Sequence, residues 1–189
     1  INENEDINTI VGTLRSIDDA GDSHTYSLSS GGDNDSFNIN GTNLQSSIIF
    51  DYEIKSSYNV EITSTDNGNN TYQETITINI NNENDVPEIT SNGGDSPEDI
   101  DFQENSTDLI TTVTSNDDEF NGSPVTYSIS GTDSDDLFIN SNDGRLIFIN
   151  TPDYESPTDS DTNNSYEIII TVTDDAGLTD SQTITINVN

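Results

Sequence analysis

The chain has 189 residues, with 37 acidic side chains against three basic ones (Arg15, Lys55 and Arg145) and a formal net charge of -34. Three cations cannot supply the basic footprint that a phosphate backbone or an anionic membrane surface needs, so nucleic acid and direct membrane association are excluded as partners. With no Cys there is no disulfide, no thiolate nucleophile and no zinc–thiolate site.

The chain opens on Ile1 with no Met and no secretory-leader pattern, which is expected of a processed or excised piece. Ile1-Asn2-Glu3-Asn4 leads into the apolar stretch Val11 to Leu14, then the paired acids Asp18-Asp19. His24 follows an acidic turn at the start of the run Thr25 to Ser29, where an exposed surface imidazole is expected. Phe37 to Asn40, Asp51-Tyr52-Glu53, Thr65-Asp66 and the alternating run Thr75 to Ile80 complete this part.

The same series then returns. Phe102-Gln103-Glu104-Asn105 repeats the opening, and Ile110 to Val113 is followed by Asp117-Asp118-Glu119. Thr126 to Ser130, Phe138 to Asn140, Asp153-Tyr154-Glu155, Thr173-Asp174 and Thr183 to Val188 come back in the same order. The chain is a duplication. The copies are expected to span 1–86, with its first strand truncated, and 87–189. Pro87 and Asn92-Gly93-Gly94 punctuate the boundary.

The clearest runs (Thr75 to Ile80, Gly144 to Ile149, Tyr166 to Val172, Thr183 to Val188) alternate apolar and polar residues at period two, and none shows sustained helical spacing. Asn142-Asp143-Gly144 reads as a tight turn with Gly144 free to take positive φ. The predicted fold is all-β: two tandem Ig-like Greek-key sandwiches. An insertion in the second copy, Ser156 to Asn164, reads as an exposed polar loop.

High charge with 28% hydrophobic residues fits either disorder or carboxylates neutralised by divalent cations, and the strand pattern favours the second. Calcium takes six to eight oxygen ligands, and Asp-x-Glu places two carboxylates on one side of a strand. Asn82-Glu83-Asn84-Asp85 adds four oxygen-bearing side chains between the copies. One His, no Cys and no Gly-rich phosphate loop leave little from which to assemble a catalytic site, and a sugar-cleaving cleft is disfavoured by the absence of Trp. No enzyme is expected. Asp33, Asp35, Asp133, Asp135 and Asp136 read as exposed turn acids. Asp159 to Asn163 imitates the start of an EF-hand loop but lacks its Gly and closing Glu, and reads as loop.

These motifs resemble cadherin repeats. The early Glu-Asn pair stands at Glu3-Asn4 and Glu104-Asn105, and Asp117-Asp118-Glu119 occupies the place of Asp-x-Asp. Asp51-Tyr52-Glu53 and Asp153-Tyr154-Glu155 stand for Asp-Arg-Glu, and Asn82 to Pro87 is similar to the family's linker. The Asp-Tyr-Glu variant and the Asp18 to Gly21 turn are similar to cadherin-like repeats of large bacterial surface proteins. The chain departs from the family pattern at Asn82 (for Asp), at Val86 (for Asn, one residue short before Pro87) and at Glu119 (for Asp).

The resemblance implies interdomain calcium held by Glu3, Asp51 and Glu53 from the first copy. Asn82, Glu83, Asn84 and Asp85 of the linker, with Asp117, Glu119 and Asp174 from the second copy, would complete it. Asp18, Asp19 and Asp66 at one end, and Glu104, Asp153 and Glu155 at the other, would be half-sites that bind weakly or not at all. The implied role is a calcium-rigidified extender of an extracellular, bacterial cell-surface adhesin, with neighbouring repeats as partners. The alternative is a calcium-dependent module binding a surface glycan or another adhesin; Tyr72 is the candidate contact, though a strand residue packed on a neighbour is the expected place for it.

Overall fold

The computed structural model describes residues 1–18, 23–94, 98–117 and 124–189. It divides into two compact units, Ile1–Glu83 and Asn84–Asn189. Both are built from strands; among the described residues there is no α-helix, and no helix long and apolar enough to cross a membrane.

The first unit contains β1 (Ile10–Thr13), β2 (His24–Leu28), β3 (Phe37–Asn40), β4 (Asn43–Ser46), β5 (Ser57–Asp66) and β6 (Thr71–Asn79). They form two three-stranded antiparallel sheets, β1-β4-β3 and β2-β5-β6. Period-two alternation puts Tyr58, Val60 and Ile62 of β5 into the core against Phe37, Leu44, Phe50 and Ile80. Each such apolar side chain contributes about 1.5–3 kcal/mol on burial. Three rings meet there, with Phe37 edge-on to Tyr58 at 5.7 Å and Phe50 4.9 Å from Tyr58.

The second unit contains β7 (Glu88–Ile89), β8 (Glu98–Phe102), β9 (Thr111–Thr112), β10 (Ser115–Asn116) and β11 (Thr126–Ser130). It continues with β12 (Leu137–Ile139), β13 (Arg145–Phe148), β14 (Ser165–Thr173) and β15 (Thr179–Val188). Its main sheet has the order β11-β14-β15-β8, and β8 lies parallel to β15. The facing sheet is β12-β13-β9, and β10 and β7 form a separate short pair whose Ile89 N–H is held by Asp180 of β15. Tyr166, Ile168, Ile170 and Val172 of β14 alternate inward, as do Gln182, Ile184, Ile186 and Val188 of β15.

The predicted all-β tandem sandwich is what the chain adopts. Gly144 takes φ +68° in the turn before β13, and a Cβ there would lie 2.2 Å from the Val113 carbonyl oxygen. Only glycine fits that approach.

The insertion of the second unit is the exposed polar loop expected at most of its positions, anchored to the fold at Asp159 and Thr158. Asp159 is 3% exposed, and its carboxylate accepts the N–H groups of Asn163 at 2.8 Å and Asn164 at 3.2 Å. Thr158 reaches the carboxylate of Asp136 at 2.8 Å.

Asp133, expected in an exposed turn, is 4% exposed. One of its oxygens accepts the N–H of Ser160 and the other that of Glu167. Its counterpart Asp33 is half-buried and accepts the N–H of Asn59, while its other oxygen meets the ammonium of Lys55. The insertion therefore supplies to Asp133 what Lys55 supplies to Asp33.

Candidate metal centre

Glu3 follows the bridge between Asn2 and Asn81, which carries its side chain inward to 2% exposure. Its two oxygens accept the N–H of Glu83 at 2.8 Å and of Tyr52 at 2.6 Å. The second bond fixes Glu3 over the Asp51-Tyr52-Glu53 turn, where Asp51 accepts the N–H of Ile54 at 2.7 Å.

Carboxylate oxygens of Glu3, Asp51 and Glu53 thereby come within 4.8 Å of one another. Two ligands of one calcium ion, each at about 2.3–2.6 Å from it, are at most about 5.2 Å apart. The spacing and the all-oxygen donor set fit a hard divalent cation, and each carboxylate keeps lone pairs beyond those its N–H partners use. Asn82 stands beside this group and donates its side-chain amide to Glu53 at 2.6 Å.

In the second unit, Asp174 directly follows β14 and is 6% exposed. It accepts the N–H of Leu178 and the side-chain amide of Asn84, both at 2.7 Å. Burial pushes its pKa up, but the hydrogen bonds from Asn84 and from the N–H groups of Leu178, Gly177 and Ala176 outweigh this and hold it below the usual range. Asp85 and Asp117 are half-buried. Glu119, with Asp118, lies outside the described residues.

Glu104, Asp153 and Glu155 repeat the first cluster, with oxygens again within 4.8 Å. Glu104 is less enclosed and accepts the N–H of Tyr154 at 2.9 Å. Asp66, the counterpart of Asp174, accepts both the N–H and the side-chain amide of Asn70 at 2.8 Å. These bonds, the side-chain amide's first, set its pKa below the usual value against a smaller opposing effect of burial. Asp19 lies outside the described residues.

Two expectations are corrected. The His24 side chain is 13% exposed rather than free at the surface, because it lies in β2 with Nε2 at 3.5 Å from the Asp18 carboxylate. Tyr72 is 67% exposed, so it is not packed on a neighbour. Sequence reasoning missed Asn84 as a positioning partner of Asp174; its place in an Asn/Asp-rich linker signalled a cation ligand only.

No family model and no curated protein matches the sequence. Solved structures do. Human CDH23 EC21-23 matches with a TM-score of 0.67 at 17% identity over 100% of this chain and 70% of that one. Human Protocadherin-24 EC1-2 matches with 0.65 at 19% identity, over 94% and 86%. The Protocadherin GammaB4 extracellular domain matches with 0.59 at 20% identity, and this chain spans 31% of its length. At these identities the likeness is one of fold, a cadherin-like tandem β-sandwich.

Proposed function

We propose that these are two extender repeats of an extracellular, bacterial cell-surface adhesin, stiffened by calcium. The observation that carries the reading is the convergence of Glu3, Asp51 and Glu53. The ions draw further ligands from Asn82, Glu83, Asn84 and Asp85, and from Asp117, Glu119 and Asp174. Calcium offsets the mutual repulsion of a chain with net charge -34, and millimolar calcium outside a cell fills even sites of about 10⁻⁴–10⁻³ M.

Small-angle X-ray scattering tests this. The maximum dimension should become larger and better defined in millimolar calcium than in EDTA, and matching profiles would refute the stiffening.

A second reading, a calcium-dependent glycan- or protein-binding module, draws on the exposure of Tyr72. A glycan array probed in calcium with wild-type chain and Tyr72→Ala separates the two.

A further inference from the structure

The two copies put different side chains on the outer face of one sheet. In the second unit Phe138 of β12 pairs with Ile147 of β13, on the side away from the core residues Leu137, Ile139 and Leu146. Phe138 is 52% exposed, and Ile149, next outward along the chain, is 56% exposed. In the first unit the matching pair is Asn38 and Gln45. Asn38 donates its side-chain amide to the Ser46 carbonyl at 3.1 Å, and Gln45 donates its own to the Asn8 carbonyl at 2.8 Å. Ser47 stands where Ile149 stands: its N–H goes to the Ser36 carbonyl, just before β3, as that of Ile149 goes to Asp136, just before β12. The fold is thus made with polar side chains at all three places, and it does not require the apolar ones of the second unit.

Charge is arranged along the same face. Arg145, at the start of β13, is exposed and is the one Lys or Arg of residues 84–189. It forms no ion pair among the described residues. At the other end of the face Asp136 lies beside Ile149, and Asp108 lines the same shallow cavity as Ile147 and Ile149. Arg145 and Ile149 are about 13 Å apart at about 3.3 Å per strand residue, with Ile147 midway. In the first unit Asn43 stands in the place of Arg145 and Ser36 in that of Asp136, so neither charge has a charged counterpart.

We propose that the outer face of β12-β13-β9 binds the same face of a second copy of this chain, with the strands antiparallel across the contact. A two-fold axis in the plane of contact, perpendicular to β13 and passing at Ile147, makes such a contact isologous. It lays the Phe138–Ile147 pairs on one another and brings Arg145 of each copy onto Asp108 and Asp136 of the other. The order cation, apolar centre, anion is its own complement under that axis, and this charge complementarity selects a second copy as the occupant. Elsewhere two chains of net charge -34 repel each other; here the second unit's cation reverses the repulsion locally. A face of three short strands is smaller than the about 1,600 Å² of a standard interface, so the dimer is weak and transient. None of the residues proposed as calcium ligands takes part, so the contact stands or falls independently of the stiffening.

The test is sedimentation equilibrium of the full chain in EDTA, at about 0.3 M salt to screen the long-range repulsion. Taken up to about 1 mM chain, the wild type should show a monomer–dimer equilibrium. Phe138→Asn with Ile147→Gln installs the residues that the first copy carries at the same places, and should weaken the dimer about tenfold or more. Arg145→Asp alone, and Asp108→Arg with Asp136→Arg alone, should each sediment as monomers. An equimolar mixture of these last two chains should associate again, because each position 145 then faces the opposite charge. A monomeric wild type over the whole range, an undiminished dimer in the Asn/Gln variant, or a mixture no more associated than its parts would overturn the proposal.

Discussion

Replacing Glu3 by Gln keeps the side chain's shape and removes its charge. Glu3 is 2% exposed and satisfies two backbone N–H groups, those of Tyr52 and Glu83. A Gln offers one carbonyl oxygen, so one of these groups faces an NH₂ and loses its partner. An unmet donor of this kind costs about 1–3 kcal/mol. In a unit of 83 residues that lowers the melting temperature in EDTA by roughly 4–20 °C. Calcium at a hundredfold over its Kd adds about 2.7 kcal/mol, and this increment should shrink in E3Q because a ligand charge is gone. Glu104→Gln is the internal comparison: Glu104 is less buried and holds one N–H, so its loss in EDTA should be smaller. Calorimetry of the full chain, with EDTA and with millimolar calcium, reads both effects. If E3Q melts with the wild type in EDTA, the buried bonds carry no stability. If calcium stabilises E3Q as much as wild type, Glu3 is not a ligand.

Gly144→Ala should destabilise the second unit by about 2–5 kcal/mol, from left-handed backbone strain and the Val113 contact, read by denaturant melts. Gly41→Ala, at φ +64° with open space around it, should cost no more than about 1–2 kcal/mol. Asp66, Asp133 and Asp174 have folded pKa values below the ordinary value of 3.8. Their contribution is therefore present above that value and is lost as pH falls through the lower folded values. Stability in EDTA should decline only below about pH 4, and Asp133→Asn should flatten that decline while costing about 1–3 kcal/mol at neutral pH; an unchanged acid limb in the variant would refute the assignment.

The strands were legible because each copy repeats the same alternation, so Ile76-Ile78-Ile80 and Ile184-Ile186-Val188 announce one inward face twice. The meeting of Glu3 with Asp51 and Glu53 was expected only from the resemblance to cadherin repeats; the structure brings these three together, and Glu104, Asp153 and Glu155 likewise. The burial of Asp133 was not legible. Its donors are 27 and 34 residues away, and a polar turn that will be covered reads like one that will not. His24 was misread for the same cause, since its cover comes from tertiary neighbours. Tyr72 was misread in the opposite sense, because alternation predicts an inward face but not whether anything lies on it.

Asp33 and Asp133 occupy the same place in the two copies. Both carboxylates bind the N–H of the residue after a core tyrosine, but Asp33 leans on the Lys55 ammonium and Asp133 on a second peptide N–H. The Lys55 pair is half-exposed, and dissolved ions weaken it. The buried peptide bonds of Asp133 are indifferent to them. Two copies of one ancestral clamp thus differ in their tolerance of brine: as ionic strength rises, the first loosens while the second holds.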